Sequence, residues 1–413
     1  MFTFPARFAA LLLLIISCQS HILASNPTPA GPVRESSATR GEVILSGVWK
    51  FQPATDKTTE KPSPSDWGTI SVPGSWSKNG EGALPVNPVP PAGSAWPGLE
   101  GVATAWYERS VDIPVAWSGR ALLLQFDRVS TDAKVYVNDQ LSGEIRWPSG
   151  EVDISKAVKA GQTAVIRVLV VATPDEGDRI NFMGYAQESK SKATLMSAGI
   201  TGDVVLASRP SGSHVTDVFV QPSYRKKSVT LDVSLAGISQ AGPLTVTVNM
   251  VDEKGTVETT FTQNVEGKVA PEQTLQFTWP WKSPRLWDLG QPNLYTAMVE
   301  VKGAGVSDIY PQSFGFREHW IEGKKFILNG TEIRWRPISW HGNSALGEKV
   351  IAPLREQGFN ISQIWPQNRY ARGHADFWGL WAETTDKAGW PIIGVVQNMS
   401  QPFIIDAQGK SDN

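Results

Sequence analysis

Asn329-Gly330 lies between Lys325-Phe326-Ile327-Leu328 and Thr331-Glu332-Ile333-Arg334-Trp335. Two residues that tolerate a positive φ, flanked by short β-prone runs, make the strongest two-residue hairpin signal a sequence offers. The periodicity of the chain changes around this turn. Upstream, short segments alternate apolar and polar residues and are punctuated by Gly, Pro, Asn and Asp, whereas downstream strand-like and helix-like stretches take turns. A domain boundary is therefore expected close to Phe316.

Three units follow from this division. Residues 43–208 contain β-prone runs such as Leu45–Phe51, Ala105–Arg109, Leu122–Phe126, Ala133–Asn138 and Val165–Val170, the pattern of a jelly-roll sandwich. Residues 209–316 have the size of an immunoglobulin-like sandwich. Within it Val229, Leu231, Val233 and Leu235 alternate with polar residues, as do Leu244, Val246, Val248 and Met250. Residues 317–413 read as strand Ile333–Trp340, helix Leu346–Gln357, strand Gly358–Trp365, helix Asp376–Ala388 and strand Trp390–Val396. The fold class is thus mainly β, two sandwiches followed by the first β/α units of an incomplete TIM barrel.

Functional groups of such barrels sit at the C-terminal ends of the strands. Here those ends carry Trp340, His341 and Trp365, which are the candidate substrate-binding residues. His341 suits either a hydroxyl contact to a ligand or a structural hydrogen bond. Three strands of eight cannot close a barrel, so the last strand is expected to expose an unpaired edge with an apolar face.

Several motifs add a family resemblance. Phe-Gly-Phe-Arg at 314–317, Lys-Phe-Ile-Leu-Asn-Gly at 325–330, Arg336 and His341 together resemble the entry to the catalytic barrel of family 2 glycoside hydrolases, which include β-galactosidases, β-glucuronidases and β-mannosidases. Trp106-Tyr107-Glu108-Arg109, Val135-Tyr136-Val137-Asn138-Asp139 and Gly199-Ile200-Thr201-Gly202-Asp203-Val204 resemble that family's N-terminal, galactose-binding-like sugar-binding jelly roll. Leu286-Trp287 with Pro292-Asn293-Leu294-Tyr295 resembles its immunoglobulin-like module. Ser339-Trp340-His341 and Ile364-Trp365 look more like the β-mannosidase branch than the β-galactosidase branch, while Gln363 and Pro337 depart from the usual Arg and Gly.

The resemblance implies hydrolysis of β-linked glycosides by an acid and a nucleophile carboxyl roughly 5 Å apart, with no cofactor. It places both carboxyls on later barrel strands. After His341 the acidic residues are Glu348, Glu356, Asp376, Glu383 and Asp386 on predicted helices and Asp406 in a polar tail, so no catalytic residue is assigned. The chain is expected to be inactive alone; the alternative is a non-catalytic exported carbohydrate-binding or scaffold protein.

Composition narrows the partners. A net charge of −2 over 413 residues gives neither the basic excess of a nucleic-acid binder nor an acidic solvating tail. The five histidines, at 21, 214, 319, 341 and 374, are too dispersed for a metal site. Seventeen tryptophans suit sandwich cores, with a minority available to stack on pyranose rings. Asp112, Asp127, Asp132 and Asn138 suit turns and caps, or contact to sugar or metal.

Residues 1–24 read as an export signal, with Arg7 ahead of the apolar run Phe8–Ser17. Leu14-Ile15-Ile16-Ser17-Cys18 resembles a bacterial lipobox, and Cys18, the one cysteine, is the candidate lipidation site and membrane attachment. The alternative is cleavage near Ala24 or Ser25. The expected location is periplasmic, outer-membrane-anchored as a lipoprotein, or secreted. Residues 25–42, rich in Pro, Ser, Thr and Gly, are expected to form a flexible linker.

Overall fold

A computed structural model describes residues 27–54, 62, 65–77, 86–93, 96, 99, 102–172, 178–183, 187–192, 197–340, 347–364, 377–394 and 403–405. For 178–183, 187–192, 340, 347–348, 364, 377–381, 394 and 403–405 the description is of the backbone.

The first sandwich faces a five-stranded sheet, in the order Val33–Glu35, Gly41–Ile44, Val204–Pro210, Arg120–Phe126, Gly150–Asp153, with a six-stranded one. The second sheet runs Gly68–Val72, Gly47–Ala54, Thr104–Asp112, Thr163–Val171, Asp132–Val137, Gln140–Arg146, all antiparallel. Alternation decides which side chains enter the core. On the Thr104–Asp112 strand Ala105 and Tyr107 face inward with Leu45, Trp49, Phe51, Leu124 and Phe126. Phe51 and Tyr107 meet edge to face with centroids 5.2 Å apart. Trp49 is tolerated at the centre because its Nε1 donates to Leu45 O at 2.7 Å, leaving no unpaired buried donor.

Asn138 closes a turn. With φ at 49° it receives Val165 N on its Oδ1 and donates to Ala157 O, each at 3.0 Å, which is the turn role expected for it.

The segment expected to be a flexible linker is packed. Val33–Glu35 pairs with Gly41–Ile44 as the edge strand of the five-stranded sheet. Before it, Thr28 N donates to Val48 O and Gly31 N to Ile44 O, and Arg109 Nη2 reaches Pro29 O at 3.0 Å. The reason is that an open sheet edge offers a row of unpaired backbone groups, and an extended chain can meet them whatever its composition.

The second sandwich packs His214–Ser223, Ser228–Ile238 and Ala270–Pro280 against Val257–Gly267, Gly242–Asp252, Leu294–Gly303 and Val306–Gly315. Both alternating sets fall inward as their period requires: Val229, Leu231, Val233, Leu235, Leu244, Val246, Val248 and Met250 are all fully buried.

Beyond Phe316 a small antiparallel sheet joins His319–Glu322, Lys325–Leu328 and Thr331–Ile333, with Leu328 opposite Thr331 across Asn329-Gly330. Parallel strands Pro337–Trp340, Ile361–Ile364 and Ile392–Gly394 follow, connected through helices Gly347–Glu356 and Phe377–Lys387. The expected single strand Ile333–Trp340 is therefore divided between two sheets. Asn360 divides it: its Oδ1 accepts Arg336 N at 2.7 Å and its Nδ2 donates to Arg334 O at 2.9 Å, which takes this backbone off the ladder. Among the described residues the two outer parallel strands are paired on one side each, and Ile393 on the third strand is exposed.

Candidate functional site at the ends of the parallel strands

The three parallel strands end level. Trp340 is in register with Ile364, and Ile364 with Gly394, so the last described residues of neighbouring strands stand side by side, about 4.8 Å apart per strand. Trp340 is the final residue of the first strand, and only its backbone is described. His341 and Trp365, the next residues in the chain after the first two strand ends, lie outside the described residues, as does Cys18.

The opposite edge of the sheet is well defined, because each helix returns the chain to it. Ile351, Leu354 and Trp390 form a small core with Ile338, Phe359 and Ile392 beneath the helices. Trp390 Nε1 donates to Ser362 Oγ at 2.9 Å, pinning the start of the third strand to the middle one. Gly389 ends the second helix with φ at 61°, and its carbonyl oxygen accepts from Gly290 N of the second sandwich at 3.1 Å. A Cβ at Gly389 would stand 2.8 Å from Gly290 N, so the close approach requires glycine.

Charge completes that junction. Arg317, from the Phe-Gly-Phe-Arg motif, stacks 4.4 Å over Trp287 and places Nη2 2.8 Å from Asp386 Oδ1. Trp287 Nε1 donates to Asp386 O at 2.8 Å. Burial raises the Asp386 carboxyl above the ordinary carboxylate value, and the charge and hydrogen bond of Arg317 pull against that rise. Glu383 pairs with Lys387 one turn along the helix at 2.6 Å. Both carboxylates thus sit at a helix C-terminus, on the side of the sheet away from the strand ends.

The first sandwich also contributes an antiparallel pair, Asp178–Met183 with Gln187–Lys192. Asp178, Arg179 and Ile180 pair antiparallel with Ile405, Ile404 and Phe403, the next described strand after Ile392–Gly394. Sequence reasoning did not find this pair, since its residues show no clean alternation. Nor did it find the Arg317–Asp386 contact, although it singled out both motifs. Among the described residues no group of three or more His, Cys, Asp or Glu side chains converges as a metal site would need.

The chain thus runs from a jelly roll through an immunoglobulin-like sandwich that docks on the N-terminal edge of a parallel β/α sheet. Residues 44–210 match the sequence model "Glycosyl hydrolases family 2, sugar binding domain", and residues 213–317 match "Glycosyl hydrolases family 2". The chain belongs to glycosyl hydrolase family 2.

Among curated relatives, a β-glucuronidase of Paenibacillus borealis is 24% identical over 393 residues, covering 89% of this chain and 61% of the relative. The β-galactosidase BoGH2A of Bacteroides ovatus is 23% identical, covering 76% and 37%. Among solved structures, the β-glucuronidase of Bifidobacterium dentium complexed with coumarin-3-O-glucuronide superposes with a TM-score of 0.62 at 19% identity, covering 88% of this chain and 62% of its own. A family 2 member from Bacteroides cellulosilyticus gives 0.61 at 20%, covering 85% and 47%. The chain therefore spans 61% and 37% of the lengths of these two curated relatives.

Proposed function

We propose that the chain takes part in the hydrolysis of β-linked glycosides and binds the sugar at the C-terminal edge of its parallel strands, with Trp340, His341 and Trp365 lining that edge. The level register of Trp340, Ile364 and Gly394 carries this reading, because it gathers consecutive strand ends on one edge. The β-glucuronidase and β-galactosidase relatives supply the substrate class. An aromatic ring at a strand end offers a flat apolar face to the C–H face of a pyranose. Isothermal calorimetry of glucuronides, galactosides and mannosides, with the Trp365→Ala variant alongside, tests it. A binding signal lost in the variant supports the site, and no signal from any of the three overturns it.

The 413-residue chain is expected not to turn over aryl β-glycosides by itself. Asp386 and Glu383 are engaged with Arg317 and Lys387 on the far side of the sheet, which also favours a second reading, a non-catalytic exported carbohydrate-binding or scaffold protein. Release of nitrophenol that His341→Ala abolishes would remove both the expectation and the second reading. Export through residues 1–24, with lipid on Cys18 or cleavage near Ala24, completes the proposal and puts the sugar site outside the cytoplasm.

A further inference from the structure

Asp308 is a carboxylate with a fully buried side chain in the second sandwich, and most of its partners come from another domain. Thr39 Oγ1 donates to it at 2.7 Å, Arg40 Nε at 3.1 Å, and Arg40 Nη2 as well. From its own sandwich it receives Val215 N at 2.9 Å. Arg40 also donates to Val215 O and lies 4.7 Å over the Tyr310 ring, while Ile309 N donates to Thr39 Oγ1 at 3.0 Å. The second sandwich thus buries a charge that the N-terminal strap satisfies.

The strap is itself held to the first sandwich. Glu35 accepts Trp117 Nε1 at 2.6 Å and pairs with Arg120 at 2.8 Å, and the 36–40 loop is closed by Ser36 N donating to Arg40 O at 3.0 Å. Among the described residues the strap therefore joins the sandwiches in addition to the covalent link between Pro210 and His214. The strap sits beside the link, since Arg40 and Asp308 both bond Val215, the residue after His214, and it braces the backbone where the chain enters the second sandwich. The second sandwich is in turn fixed to the parallel sheet by Arg317–Asp386, and the first reaches the same segment through the 178–180/403–405 pairing. These contacts close a ring.

We propose that residues 36–40 are a clasp: seated on Asp308, they set the angle between the sandwiches and so hold strand Asp178–Met183 against Phe403–Ile405. The clasp stands apart from the question of which sugar is bound. Hydrogen exchange of the full chain and of Arg40→Met tests it. The variant is expected to speed exchange about tenfold at Val215 and Ile309 and several-fold at 178–180 and 403–405, while the core strands Thr163–Val171 and Ser228–Ile238 keep their protection. Thr39→Val, which removes no charge, should act in the same direction more weakly and keeps the test open if Arg40→Met does not fold. Arg34→Ala, at an exposed strap pair 3.9 Å from Glu42, should change nothing. A change confined to Val215 and Ile309, no change at all, loss of protection in every strand together, or an equal effect of Arg34→Ala would each overturn the clasp.

Discussion

Arg317 and Asp386 lie 69 positions apart in the chain and 2.8 Å apart in the fold, joining the last residue of the Phe-Gly-Phe-Arg run to the end of the second helix. Trp287 serves both, under the guanidinium of one and as donor to the carbonyl of the other. The sandwich thereby grips the parallel sheet at its N-terminal edge.

Removing the cation at this junction should raise the Asp386 carboxyl further. Burial already holds it above the ordinary value and Arg317 is the influence that lowers it. In Arg317→Gln, a carboxyl resonance assigned to Asp386 should therefore titrate at higher pH than in the parent chain. An unchanged titration would mean the pair is not formed in solution.

The Asp308 clasp gives a pH dependence whose sign is fixed. Burial alone would raise this carboxyl, but the hydrogen bonds and charge of Arg40, with Thr39 and Val215 N, bring it below the ordinary range. A folded value below the unfolded one contributes stability above the unfolded value and loses it as pH falls through the folded value. Asp308→Asn should flatten that acid limb in urea melts read at a series of pH values.

Arg40→Met should be the more damaging change at neutral pH, because it leaves the buried carboxylate uncompensated. Breaking one side of a buried ion pair costs about 3–5 kcal/mol. Urea unfolding of the second sandwich measures it, and a loss under about 1 kcal/mol, the range of an exposed pair, would contradict the burial described.

Asn329 does more than turn the hairpin. Its Oδ1 accepts Glu318 N and its Nδ2 donates to Trp287 O, both at 2.9 Å, from a left-handed backbone with φ at 49°. Asn329→Ala leaves two backbone partners unmet and should cost about 2–6 kcal/mol, at roughly 1–3 per stranded group. Asn329→Gly keeps the backbone comfortable and separates the turn from the side-chain bonds: recovery of full stability in the glycine variant would show that only the turn matters.

If Cys18 carries lipid, Cys18→Ser should shift the protein from the membrane fraction to the soluble exported fraction, and intact mass should lose the acyl groups. Identical masses and fractions for both forms would favour cleavage near Ala24.

Local pattern determined much of this protein. The alternations Val229–Leu235 and Leu244–Met250 gave buried strand faces because side-chain direction in a strand has period two, and Asn329-Gly330 gave its hairpin because both residues accept a positive φ. The β/α order after the hairpin was legible in the sequence, as was the strand end at Trp340. What only the tertiary structure decided was the pairing of distant groups. Composition made residues 25–42 a linker, yet a sheet edge and a buried carboxylate at Asp308 recruit that segment. Asn360 cut the expected strand Ile333–Trp340 in two through bonds 24 and 26 positions away, and Arg317 found Asp386 through space. Backbone preference acts over a few residues and can be read from them, whereas a buried polar group is satisfied by whichever partner the packing delivers, and no local pattern names that partner.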